Sequence, residues 1–189
     1  VGTAFGSLVR HKRTSPLGTH TTDFVPQGHY EYNGFQMSSA LYPEATVSFW
    51  CYLDGADGTS WGFGPSQAAG VWFYTLSGGS AYFDWGNTGS ARSSFVWPTK
   101  YNTKWVHLLY SMRASDGKVM AFVNGEKMME TTVTIATPTD TNIIRVGNLY
   151  TDTFGFDGAI GGFCLYDKRL TQGDALRLTK AGRQLAVMA

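Results

Sequence analysis

The chain has 189 residues, 43% hydrophobic, 15% aromatic and 15% charged, with a formal net charge of +1. That length fits one domain at roughly 100–200 residues per domain. The composition excludes a disordered chain, which is charge-rich and aromatic-poor, and the near-neutral charge gives no footprint for a nucleic-acid partner.

In chain order, residues 1–27 come first. They hold the basic cluster Arg10-His11-Lys12-Arg13, then Ser15-Pro16-Leu17-Gly18, and show no period of 2 or 3.6. They read as an extended N-terminal arm, either a solvated tail or an arm for a neighbouring subunit or an anionic surface. The domain proper then spans 28–189. Strands are expected at 29–33, 45–53, 71–76, 81–85, 93–97, 105–112, 118–123, 126–129, 143–147 and 156–166, because apolar residues alternate or cluster there between turn residues. In 45–53 the apolar phase is Val47, Phe49, Cys51 and Leu53. Asn124-Gly125 between two such runs marks a hairpin, since a type I′ turn needs positive φ at both central residues. Residues 58–64 carry no charge, are rich in Gly and read as an exposed loop around Trp61. Thr171 followed by Asp174 is a capping-box pattern. It opens the one credible helix, with Ala175, Leu176 and Leu178 as its stripe and Gly182 as its stop. Strand spacing of this kind predicts an all-β sandwich of two antiparallel sheets with one short C-terminal helix.

Several ordered pieces carry a resemblance. They are Tyr30-Glu31-Tyr32-Asn33-Gly34, Ala45-Thr46-Val47-Ser48-Phe49-Trp50, Trp105-Val106-His107, Phe122-Val123-Asn124-Gly125-Glu126-Lys127, Phe156-Asp157-Gly158-Ala159-Ile160 and Leu165-Tyr166-Asp167-Lys168-Arg169-Leu170-Thr171. The set resembles laminin-G-like domains of the concanavalin A-like lectin/glucanase superfamily. The resemblance implies a jelly roll with a concave and a convex sheet. Trp50 and Trp105 are large enough to fill the space between them. His107, inside an apolar strand, reads as a structural histidine. Gly161 and Gly162 stand where relatives often carry two acidic residues, which weakens any transfer of a calcium site.

Chemistry is sought next. Glycosidases on this fold need two carboxylates on one strand face, about 5–5.5 Å apart when retaining. No Glu-x-Asp-x-x-Glu pattern occurs, and Asp54 with Asp57 and Asp152 with Asp157 lie in Gly-rich segments read as loops or bends, where aspartates form turns. No Cys-x-x-Cys pair or metal-ligand spacing of His11, His20, His29 and His107 is present. No enzyme and no cofactor are expected. Calcium on Asp152, Asp157 and nearby carbonyls is the one metal alternative. Cys51 and Cys164 lie in phases that point to different faces, so two free thiols are expected. Val1 in place of Met suggests a processed chain, and no uncharged stretch suits membrane insertion.

Six Trp and ten Tyr remain as the distinctive chemistry. Indole and phenol rings stack on sugar rings while Asp and Asn hold hydroxyls. The candidate ligand-binding residues are Trp61, Trp72, Tyr74, Asp84, Trp85 and Asn87, on the concave face or rim loops. The expected function is a non-catalytic recognition module for a glycan or cell-surface polymer, working outside the cell or on a virion surface. The alternative is a structural subunit of a larger assembly, such as a virion decoration, tail or fibre protein. It would contact its neighbours through residues 1–27 and exposed rings, since Tyr and Trp also favour interfaces.

Overall fold

The computed structural model describes residues 3–5, 8–9, 22–24, 29–33, 43–54, 57–63, 71–76, 79–85, 92–135, 143–147 and 155–188. Alternation in the longest apolar runs sets the architecture. In β5 (Glu44–Leu53), Val47, Phe49, Cys51 and Leu53 are buried on one face. Antiparallel pairing with β10 (Trp105–Arg113) puts Phe49 opposite Leu108 and Val47 opposite Tyr110. Pairing with β14 (Gly158–Tyr166) puts Cys51 opposite Ile160. β11 (Lys118–Val123) and β12 (Glu126–Thr132) extend this sheet on one side. The turn between them has Asn124 at φ 53 and Gly125 at φ 82, both positive as its sequence requires.

On the other side of β14 lie β3 (Thr22–Phe24) and β2 (Leu8–Val9), completing sheet B in the order β12-β11-β10-β5-β14-β3-β2 among the described residues. Sheet A is built from β1 (Thr3–Phe5), β4 (His29–Asn33), β6 (Asp57–Phe63), β7 (Val71–Leu76), β8 (Ser80–Trp85), β9 (Arg92–Val96) and β13 (Ile143–Val146). Its order is β1-β4-β13-β6-β7-β8-β9. The stretch read as an extended arm thus supplies β1 to sheet A and β2 and β3 to sheet B. Strands of two or three residues are too short to show a period.

The core between the sheets is aromatic. Tyr110 of sheet B meets Phe73 at 4.3 Å, Phe83 at 4.9 Å and Phe95 at 6.3 Å between ring centroids, all from sheet A. Phe49 meets Phe73 edge-on at 5.7 Å. Such pairs contribute roughly 0.5–1.5 kcal/mol each beyond the area they bury. The Tyr110 hydroxyl is buried with no hydrogen-bond partner among the described residues, and burial pushes its pKa well above the ordinary phenol value. Tyr110→Phe removes that unpaired group and keeps the ring. Stability is expected to stay level or rise by up to about 1 kcal/mol, read from urea unfolding midpoints. A clear loss would reveal a partner for the hydroxyl.

Three sequence expectations need correction. Residues 58–63 of the stretch read as a loop are strand: β6 lies between β13 and β7, with a register shift between Thr59 and Trp61. A side chain at Gly58 would come within 2.5 Å of the Phe156 Cα, so close approach by a distant segment accounts for that glycine. Trp50 is not between the sheets. It lies on the other face of β5, against the helix α1 (Gln172–Met188), and Trp105 is half-buried, edge-on to Tyr52 at 5.9 Å. Gly182 does not end α1. A Cβ there would sit 2.6 Å from the Trp50 ring, so this glycine lets helix and sheet come together. The capping box forms as expected: the Thr171 N–H donates to Asp174 Oδ2 at 2.8 Å, and the Asp174 N–H to Thr171 Oγ1 at 3.3 Å. Leu170 and Ala175 close a second apolar cluster over Leu109 and Phe122. Cys51 is buried, Cys164 is exposed, and both are free.

Candidate functional site

Sheet A has one face in the core and one turned away. In β8, Ala81, Phe83 and Trp85 are the core phase, so Ser80, Tyr82 and Asp84 belong to the outer one. In β9, Ser93 and Phe95 are buried while Arg92, Ser94 and Val96 are exposed. Register then assembles the outer surface. Tyr82 pairs Ser94 and Asp84 pairs Arg92 on one side; Tyr82 pairs Tyr74 and Asp84 pairs Trp72 on the other. Trp72 and Tyr74 share the phase that alternates with buried Phe73.

At the centre of this surface is a fork-shaped ion pair. Arg92 donates from Nε to Asp84 Oδ1 at 2.8 Å and from NH2 to Oδ2 at 2.7 Å. The Asp84 side chain is 0% exposed and that of Arg92 is 40% exposed. The guanidinium also lies 5.2 Å from the Tyr82 ring centroid, a cation–π arrangement. A planar cation held between a carboxylate and a phenol ring is pre-organised, since little further rotamer freedom is lost when it meets a polar ligand. Removing one partner of a fully buried pair costs about 3–5 kcal/mol. Here Arg92 is partly in water, so Arg92→Ala is expected to cost about 2 kcal/mol, and Arg92→Lys less, in chemical denaturation. Equal stability of the wild type and Arg92→Ala would show that Asp84 gains nothing from the pair.

The expected site residues therefore divide. Register brings Trp72, Tyr74 and Asp84 together. Trp61 has the buried Phe73 and Val146 as its register partners, in the other phase. Trp85 is a correction: it is 1% exposed, 5.7 Å from Phe83 inside the sandwich, and offers no surface ring. Its strand phase is that of Phe83, which its position at a strand end concealed. Asn87 and Asp152 lie outside the described residues. Tyr82 and Arg92 were missed. Their signal was present in the alternation of 81–83 and 92–96, where apolar Ala81, Phe83 and Phe95 leave Tyr82, Arg92 and Ser94 on the outer phase.

A second polar constellation lies under α1. Ser48 Oγ is 2.7 Å from His107 Nε2, and Thr179 Oγ1 is 2.8 Å from Nδ1. This resembles a nucleophile–base pair, but the third member is a hydroxyl where a triad has a carboxylate. All three side chains are buried, with His107 2% exposed and its ring tilted against Trp50 at 5.2 Å. No substrate reaches Ser48 while the helix is in place. Burial pulls the His107 pKa down to about 4, as expected of a structural histidine.

Asp116 and Glu130 are engaged in surface ion pairs. Asp116 accepts from Arg113 and Arg169, and these cations hold its pKa below the usual range. Glu130 pairs with Lys118 and Lys127, which lower it to about 2. Among the described residues no group of three or more His, Cys, Asp or Glu is placed to hold a metal ion. Among the described residues no helix is long and apolar enough to cross a membrane.

Comparison with curated proteins found no match. Among solved structures, the chain is similar to the binding domain of botulinum neurotoxin DC in complex with rat synaptotagmin II. The TM-score is 0.72 at 15% identity, covering 96% of this chain and 46% of that one. It is similar to a structure of botulinum neurotoxin type C concerned with cell entry through two ganglioside molecules, with TM-score 0.72, 14% identity and 96% and 46% coverage. It is also similar to the botulinum neurotoxin DC binding domain in complex with SialylT, with TM-score 0.71, 15% identity and the same 96% and 46% coverage. The chain therefore spans less than half the length of these neighbours, and at such identity the likeness is one of fold. A laminin-G-type family model matches residues 30–175, and with two stacked antiparallel sheets behind that match the chain belongs to the concanavalin A-like lectin/glucanases superfamily.

Proposed function

We propose that the protein is a non-catalytic recognition module that binds a glycan or cell-surface polymer on the outer face of β7, β8 and β9. The observation that carries this reading is the register that sets Trp72 and Tyr74 beside Tyr82, Asp84 and Arg92 on one strand phase. Aromatic residues next to a fixed ion pair suit a sugar, whose C–H face stacks on rings while its hydroxyls meet the exposed side of the Arg92 guanidinium. The family and the three receptor-binding neighbours, one linked to gangliosides, support a surface-recognition role outside the cell. The structural-subunit alternative draws no support from those neighbours. A reading without bond cleavage draws support from Asp116 and Glu130 tied up in ion pairs and from a Ser48–His107 pair sealed beneath α1.

A glycan array tests the reading with the wild type, Tyr82→Ala and Trp72→Ala. The wild type is expected to select a set of related glycans. Each substitution is expected to weaken binding at least about tenfold, the effect of losing about 1.4 kcal/mol. Circular dichroism should show both variants folded. Absence of glycan selection, or selection that both variants retain in full, would sink the assignment.

A further inference from the structure

The polar line under α1 specifies the protonation state of its histidine. The Thr179 hydroxyl donates its proton to the Ala175 carbonyl at 2.8 Å. Thr179 must then accept from His107, so Nδ1 carries the ring proton and Nε2 accepts from the Ser48 hydroxyl. One neutral tautomer satisfies every partner. Protonation of Nε2 reverses its bond to Ser48, whose hydroxyl must then accept and turn its own proton away from the ring. We propose that His107 is an acid-released latch: protonation of the ring frees α1 from sheet B while both strand ladders stay intact.

The helix suits such a release. It takes no part in either ladder. It rests on the sheet through Gly182 against Trp50, Leu176 against Gly125, and the Leu170–Ala175 cluster over Leu109 and Phe122. Among the described residues its buried hydrogen bond to the sheet is the one to His107. Groups around the ring come from every neighbouring element. Ser48 and Trp50 face it from β5, with Cys164 of β14 opposite Ser48 in register and Tyr166 further along. From the hairpin, Asn124 Oδ1 accepts from the His107 backbone N–H at 3.0 Å, and Glu126 and Lys127 are exposed. From α1, Thr179 faces the ring, while Lys180 and Arg183 are exposed.

None of the residues bonded to the ring is charged, and burial alone sets its pKa near 4. The Trp50 face at 5.2 Å offsets only part of that cost. With the helix released, the ring meets water and returns to its ordinary value of 6.5. The released form therefore binds a proton that the latched form refuses. The latched state is unaffected above that value and loses ground as pH falls toward 4. The gain is tenfold per pH unit and roughly 300-fold in all.

Hydrogen exchange of the full chain at pH 7 and pH 4.5, corrected for intrinsic exchange, tests this. Opening of α1 amides is expected to rise roughly 60-fold, while β5 and β10 amides keep their protection. His107→Gln should remove the pH dependence of α1. Unchanged α1 opening, joint loss of protection in α1 and β5, or the same pH dependence in folded His107→Gln would each overturn the proposal. Should that variant not fold, an NMR titration of the wild-type ring decides. A His107 that titrates near 6.5 in the folded protein overturns the latch, and one that stays neutral down to about pH 4 supports it.

Discussion

Gly158→Ala is expected to lower stability by about 3 kcal/mol, combining backbone strain with overpacking. Gly158 has φ +147, where a residue with a side chain is strained. Its Cβ would also overlap the Tyr52 carbonyl oxygen and come 3.1 Å from Phe156 Cε1. Neither neighbour yields easily. Tyr52 belongs to β5, which is paired on both sides, and Phe156 is fully buried. Urea unfolding of the variant should show a lower midpoint with an unchanged slope. A loss under about 1 kcal/mol, the level of an ordinary point change, would mean that β14 can slide past β5 at this position.

Trp50→Ala is expected to cost about 3–5 kcal/mol, as for other buried aromatic truncations. Trp50 is 3% exposed, touches the His107 ring and fills the space that Gly182 leaves open. Its loss would leave a cavity between sheet B and α1. Gly182→Ala alone should destabilise, because the new methyl meets the indole. In the Trp50→Ala background the same change should be neutral or stabilising, because the methyl enters the cavity. Thermal unfolding of the wild type, both single variants and the double variant measures this coupling. Additive effects would show that the helix does not rest on Trp50.

What the residues reveal before folding follows from how local each signal is. The β11–β12 hairpin is legible because Asn124-Gly125 states its own dihedral angles. The inner phase of β5 is legible because Val47, Phe49, Cys51 and Leu53 alternate without interruption. Its outer phase is not, since alternation does not tell what covers Ser48 and Trp50, and α1 arrives from the far end of the chain. β6 escaped notice because Gly58 answers to Phe156, about a hundred residues away in sequence, and because a register shift breaks its period. For the site, Trp72, Tyr74 and Asp84 were reachable from composition. The Arg92–Asp84 pair needed the cross-strand register of β8 and β9. Trp85 misled for a related reason: a count of rings does not say that the inter-sheet space takes Trp85 and Trp97 beside Tyr110.

The surface of β7, β8 and β9 as the place of recognition is tested most directly by NMR. An oligosaccharide selected on the array would be titrated into isotopically labelled wild-type protein. Backbone shifts are expected to move together at Trp72, Tyr74, Tyr82, Asp84, Arg92 and Ser94, with α1 and the β11–β12 hairpin unmoved. Shifts centred on sheet B, on α1 or on either hairpin end, with the β8–β9 surface silent, would contradict the account.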